Sequence, residues 1–150
     1  MKKSTLLLAS ILLLTGLACD RGPNTEQATI LFHDAMAAGD HKQAKRMLNE
    51  GADIEKREKG GQTVLIRAAA TDDDNMALPF LLVNGADPNA QTHKGNTALH
   101  VAAAAGRIGH VSRLLKAGAD PSLTNNDGLT ARDLAEQAGL DQVVAIIDAN

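Results

Sequence analysis

Few residues in this chain have a type and spacing that could do chemistry. Thr97 and His100 suggest a base beside a nucleophile, and His33 belongs with them by its place in the pattern described below. Asp72, Asp73 and Asp74 are three consecutive carboxylates that could attract a cation. They lack the alternate spacing and distal Glu of a calcium loop, and are better used capping a following helix through its N-terminal dipole. His41 and His110 fall at unrelated offsets on expected helices and should be solvated. One Cys, Cys19, allows no internal disulfide and no Cys-based zinc site. There is no G-x-S-x-G, H-E-x-x-H, C-x-x-C or Gly-Lys-Ser/Thr. No catalysis, metal, cofactor or small-molecule substrate is expected.

The elements that must position these residues repeat. Gly51-Ala52-Asp53, Gly85-Ala86-Asp87 and Gly118-Ala119-Asp120 recur at spacings of 34 and 33. Between them, Gly61-Gln62-Thr63-Val64-Leu65, Gly95-Asn96-Thr97-Ala98-Leu99-His100 and Gly128-Leu129-Thr130-Ala131 keep the same period. A period near 33 with Gly at fixed offsets marks a helical solenoid. Within one unit, Ala98 to Ala105 reads as a short Ala-rich helix whose neighbours can approach closely. Gly106 allows a turn, and Ile108 to Lys116 forms a second helix with Val111, Leu114 and Leu115 on one face. Gly118 can take the left-handed conformation that stops it. Pro79, about one turn into its helix, removes one backbone donor at most or bends the helix slightly. So thin an apolar face cannot be buried within one unit; stacking must supply the core.

Gly95-Asn96-Thr97-Ala98-Leu99-His100-Val101-Ala102-Ala103 resembles the G-x-T-P-L-H-x-A-A of ankyrin repeats, and Gly118-Ala119-Asp120-Pro121 their G-A-D turn. The resemblance implies an all-α solenoid of about four helix-turn-helix repeats with β-turn or hairpin loops between them. The repeats fall at about 28–60, 61–94, 95–127 and 128–150. The first is degenerate, with Ile30-Leu31-Phe32-His33 in place of T-P-L-H and Gly39 between its helices. The second has Thr63-Val64-Leu65-Ile66 and one extra residue near Thr71 to Asp74. The fourth has Thr130-Ala131-Arg132-Asp133, whose polar pair suits a terminal cap. In this family the Thr–His pair makes structural hydrogen bonds, so Thr63, Thr97, His100 and Thr130, with Gly51, Gly85 and Gly118, are expected to be structural.

In ankyrin proteins the fingers between repeats and the outward residues of the first helices form a concave recognition surface. Carried over by position, the second repeat presents Arg57, Lys59, Gln62, Ala70 and Thr71. The third presents Gln91, His93, Lys94, Asn96, Ala104 and Ala105, and the fourth Thr124, Asn126, Asp127, Leu129 and Gln137. The surface runs from basic at the first finger to weakly acidic at the third.

The N-terminus carries a different signal. Met1-Lys2-Lys3 is basic, and Leu6 to Leu14 is apolar apart from Ser10. That run is far below the roughly 20 residues needed to cross a bilayer, so it reads as a secretory signal over 1–18. Thr15-Gly16-Leu17-Ala18-Cys19 resembles the lipobox of bacterial lipoproteins, which implies a lipidated Cys19 as the mature N-terminus. Gly16 stands where that family most often has Leu. Asp20 resembles the inner-membrane retention signal of enteric-type lipoproteins. From Asp20 to Gln27 the chain is polar and aperiodic, a tether that places the boundary at 19–27 and reaches at most about 28 Å.

Composition sets the partner class. The 150 residues are 44% hydrophobic but 1% aromatic, and 15 basic against 18 acidic residues give a net charge of −3. Loss of Lys2 and Lys3 would take it to −5. That balance is too acidic for a phosphate-backbone binder, and base-stacking aromatics are nearly absent. The expected partner is a protein, bound by a monomer lipid-anchored in the bacterial envelope and facing the periplasm, at the inner membrane. Two roles stay open: an immunity or inhibitor module against a periplasmic toxin, and a housekeeping scaffold for a resident envelope enzyme. An enzymatic role lacks the polar constellation it needs.

Overall fold

The computed structural model describes residues 24–71 and 76–150. The eight α-helices among the described residues form consecutive pairs: α1 (Thr25–Ala37) with α2 (His41–Asn49), α3 (Val64–Ala70) with α4 (Ala77–Val83), α5 (Ala98–Ala104) with α6 (Ile108–Lys116), and α7 (Ala131–Gln137) with α8 (Asp141–Asp148). Beyond the helices there is one isolated antiparallel bridge, Thr124 with Thr130, among the described residues. This is the helical solenoid expected from the period, with the four repeats that the resemblance implies. No described helix is long and apolar enough to cross a membrane.

Each motif residue has a local job. Thr63, Thr97 and Thr130 sit just before α3, α5 and α7, where each hydroxyl accepts from the third helical N–H, of Ile66, His100 and Asp133. That satisfies a donor the helix cannot pair itself. The G-A-D turn ends the second helices. Gly118 has φ +90, and its N–H and that of Ala119 donate to Leu115 O (3.0 Å) and Leu114 O (2.9 Å). This paired closure needs a left-handed residue where Gly118 stands. Asp120 then folds the chain, its Oδ1 accepting from Ser122 N at 2.9 Å. Asp53 and Asp87 do the same for Glu55 and Asn89.

Packing runs between repeats. Helix α5 touches α3 on one side and α7 on the other, besides its partner α6. Phe32, Leu65 and Leu99 occupy one register position in successive repeats, and each is 0–1% exposed. Ala69, Ala102, Ala103 and Ala135 are fully buried, so inner helices meet almost backbone to backbone. At the fourth repeat the register position of Leu99 belongs to Arg132. Its guanidinium reaches Asp148 Oδ1 and Glu136 Oε1, both at 2.6 Å, so the face beyond is polar.

The structure departs from the sequence reading in several places. Asn24 caps α1 and Thr25–Gln27 form its first turn, so the domain begins inside the expected tether. The cause is Ile30, which stands where Thr97 stands in the third repeat but has no hydroxyl. The helix runs on past this position to the next available cap. Without that Thr, His33 pairs instead with Glu58, Nδ1 to Oε1 at 2.8 Å. His41 and His110 are not solvated. His41 stacks on Phe80 at 5.1 Å between ring centroids, and His110 is buried in α6. Pro79 is the third residue of α4, where its missing N–H costs no helical bond. Asp72, Asp73 and Asp74 lie outside the described residues.

Two outcomes follow for the third repeat. Leu99→Ala should destabilise the domain by about 2–5 kcal/mol in urea melts, as a fully buried large-to-small change. A loss below about 1 kcal/mol would show that Leu99 is not packed between repeats. The second concerns pH. Burial lowers the pKa of His100, opposed by its bond to Leu129 O. Its stabilising neutral state is complete above the unfolded value near about 6.5, and is lost as pH falls through and below it. The urea midpoint should therefore drop between pH 7 and 5.5. The drop should shrink in His100→Asn, which keeps an acceptor for the Thr97 N–H; equal drops would contradict the assignment. Glu58, Asp133 and Asp148, whose pKa values are lowered, respond only at more acid pH.

Candidate functional site

Three fingers project between the helix pairs, at 53–63, 87–97 and 120–130. Each is closed by a pair of backbone bonds: Glu58 N to Gln62 O (2.8 Å) with Gly61 N to Glu58 O (3.0 Å), Thr92 N to Asn96 O (3.0 Å) with Gly95 N to Thr92 O (2.9 Å), and Asn125 N to Leu129 O (2.9 Å) with Gly128 N to Asn125 O (3.0 Å). Neighbouring fingers are pinned edge to edge. His93 N–H donates to Gly60 O at 2.9 Å, and Asn126 N–H to Lys94 O at 3.0 Å. The approach leaves no room for side chains. A Cβ on Gly61 would sit 2.9 Å from His93 N, and one on Gly95 2.8 Å from Asn126 N.

Side chains reinforce the stack at the same period. The Arg57 guanidinium donates to Gly61 O in its own finger and to Gln91 O in the next. Gln91 repeats the move one unit on, from Nε2 to Gly95 O (2.9 Å) and Thr124 O (3.1 Å). Glu55 and Asn89 accept from the N–H of Asp87 and Asp120 across each junction. His100 does it from the helix side. The Thr97 N–H donates to its Nδ1, so the proton sits on Nε2, which donates to Leu129 O at 3.1 Å. Thr97 and His100 are each 1% exposed and spend these groups on structural bonds.

The expected recognition residues therefore divide. Arg57 and Gln91 staple fingers, Asn96 accepts from Asn125 Nδ2 at 3.0 Å, and Asn126 Nδ2 donates to His93 O at 2.9 Å. Leu129 is half-buried and its carbonyl serves His100. Lys59, Gln62, His93, Lys94, Ala104, Ala105 and Asp127 are exposed. Asn96, His100, Val101, Ala104, Ala105 and Leu134 line a shallow hollow of about 360 Å³ behind the second finger. Cys19 lies outside the described residues. No group of three or more His, Cys, Asp or Glu could hold a metal among the described residues.

Sequence reasoning missed one constellation. Glu58 accepts from His33 Nδ1 (2.8 Å) and from Arg67 Nη1 (2.6 Å). Burial works to raise its pKa, but the His33 bond and the Arg67 charge outweigh it and hold the carboxyl low. Glu58 belongs to the hairpin position of Thr92 and Asn125, so the 34-residue offset could have singled it out as a finger residue with a charge. Beside it a cleft of about 530 Å³ separates α1 from the first finger. Thr25, Ile30, His33 and Asp34 line one wall, and Asp53, Lys56, Arg57 and Glu58 the other. Ile30 is 57% exposed within it.

Comparison with known proteins accords with this architecture. The family model for ankyrin repeats (3 copies) matches residues 31–125 and 65–148. The chain is 38% identical over 95 residues to the B-cell lymphoma 3 protein homolog of Mus musculus, covering 63% of this chain and 21% of that protein. It is 38% identical over 74 residues to NF-kappa-B inhibitor delta of Mus musculus, 49% of this chain and 22% of the relative. With the inactive serine/threonine-protein kinase TEX14 of Bos taurus it shares 33% over 86 residues, 57% of this chain and 6% of that one. The chain thus spans about a fifth or less of each of these relatives. The interlocked fingers, the Thr–His cap and the family match together place this chain in the ankyrin-repeat family.

Proposed function

We propose that the chain is a recognition module, lipid-anchored in the bacterial envelope, that binds another protein and masks it as an inhibitor or immunity protein. One observation carries the recognition reading. The repeating residues are consumed by the stack, while the non-repeating ones, Lys59, His93, Lys94 and Asp127, remain exposed on one row of fingers beside flat Ala104 and Ala105. With no Trp or Tyr in the chain, the large anchors must come from the partner. A relative whose name makes it an inhibitor of another protein supports masking as the mode of action.

Capture from membranes by the full lipidated protein tests this reading. A partner retained by wild type should be lost with His93→Glu/Lys94→Glu and with Ala104→Arg, which leave the core untouched. Equal capture by all three would contradict it. A toxic enzyme among the captured proteins supports immunity, and a resident redox or stress enzyme would assign the scaffold role instead.

The anchor rests on the lipobox resemblance at Cys19. With α1 beginning at Thr25, the five residues 20–24 reach at most about 18 Å and hold the domain at the membrane surface. Cys19→Ser should release the protein or leave it unprocessed. A free thiol in the mature wild type, or a start beyond residue 19, would contradict lipidation. The resemblance of Asp20 to an inner-membrane retention signal supports a position at the inner membrane, facing the periplasm, and Asp20→Ser should then move the protein to the outer-membrane fraction.

A further inference from the structure

The stack treats its fingers unequally. The second finger has both edge groups paired to the first: His93 N–H to Gly60 O, and Gln91 C=O to the Arg57 guanidinium. The third is paired to the second in the same register, through Asn126 N–H and Thr124 C=O. In the first finger the counterparts are Lys59 N–H and Arg57 C=O. Neither has a hydrogen-bond partner among the described residues. Arg57 lines the 530 Å³ cleft, and Lys59 lies two residues further along the same edge.

The register shows why that edge is bare. Aligning α1 on α5 puts residues 24–29 where 91–96 form a hairpin in the third repeat. Here they form an extra helical turn, in which Asn24 accepts from Ala28 N–H through its carbonyl and from Gln27 N–H through its side chain. The first finger therefore faces a helix where the others face a hairpin, and the cleft is the space between. The remaining space has the size of a peptide or ligand site rather than of a folded unit.

We propose that this cleft is a docking groove for an extended segment of a partner protein, added to the first finger as a strand, its aliphatic side chains over Ile30 alternating with carboxylates facing Lys56 and Lys59. The proposal deepens the recognition reading and rests on it. Unpaired main-chain groups at a hairpin edge are the usual template for such addition. Successive side chains of a strand point to opposite faces, which gives the alternation. One face meets Ile30, an apolar residue 57% exposed. The other meets Lys56 on the cleft wall and Lys59 just beyond it, both exposed. Of the two carboxylates on that wall, Glu58 is tied to His33 and Arg67, and Asp53 accepts from the N–H of Glu55. Glu26 and Asp34 on α1 keep carboxylates off the helix side.

The probe is an acetylated, amidated five-residue peptide of alternating valine and glutamate. It is titrated into the detergent-solubilised full chain and followed by amide NMR. Shifts should concentrate in residues 25–34 and 53–59. Lys59→Pro removes the edge N–H and should weaken binding about tenfold, whereas Lys59→Ala, which keeps it, should weaken binding by less than about threefold. The proline suits the fold: Glu58 before it is extended (ψ −169), and residue 59 opens a short 3-10 turn. N-methylation of the peptide backbone should abolish binding to wild type, and so should Ile30→Asp. Unchanged binding to Lys59→Pro would overturn the proposal. So would shifts on the third finger, equal binding of a valine–lysine peptide, or shifts produced by phosphatidylglycerol vesicles but not by the peptide. Partner capture read through the second finger stands or falls separately.

Discussion

The structure depends on bonds that leave one repeat and end in the next. A single unit here has little to bury: an Ala-rich inner helix and a handful of Leu, Ile and Val side chains. Its fold holds because its neighbours complete it, with His100 reaching the carbonyl of Leu129 and Arg57 and Gln91 reaching one finger ahead. The His100 bond is part-buried, so its loss would leave an unpaired group with little water to replace it, whereas the Arg57 and Gln91 bonds join the fingers at exposed sites. Stability in such a stack is a sum of weak units and strong junctions.

That constraint also sorts structure from function. A residue that must reach the next finger cannot vary freely, and a residue that points past it can. Arg57 and Gln91 belong to the first group, Lys59, His93 and Lys94 to the second, although all five are polar and lie within the fingers. Where the constraint lapses, the molecule changes character. At the first repeat Ile30 cannot cap, the helix lengthens, His33 turns to Glu58 and a cleft opens. At the fourth, Asp133 takes the place of His100. It still closes the cap through Thr130, at 2.8 Å to its N–H, but does not reach forward, and no finger follows among the described residues.

Much of this was legible in the sequence, because the period carries register information. The helix Ile108–Lys116 and the three G-A-D stops follow from residue type and offset, and the structural role of the three Thr residues from the resemblance to ankyrin repeats. Position on a finger was legible too; the direction of a side chain was not. Arg57 and Gln91 read as presented residues because their bonds go to backbone carbonyls 4 and 34, or 4 and 33, positions away, which no composition or spacing reveals. The early start of α1 was missed for a local reason: a polar stretch reads as tether, although Asn24 is a strong cap and Thr25–Gln27 tolerate a first turn. The burial of His110 and the stacking of His41 depend on packing between outer helices, which the period does not encode.

The central claim is that the fingers form one interlocked edge rather than three independent loops. Amide hydrogen exchange of the full chain measures it most directly. His93 and Asn126 donate across finger junctions, while Lys59 sits at the equivalent position with no described partner. The account predicts that His93 and Asn126 exchange only with opening of the stack, as slowly as the buried amides of α5, and that Lys59 exchanges as a free amide. Rapid exchange at all three, with α5 protected, would show loops that hang independently from the helices and would contradict it.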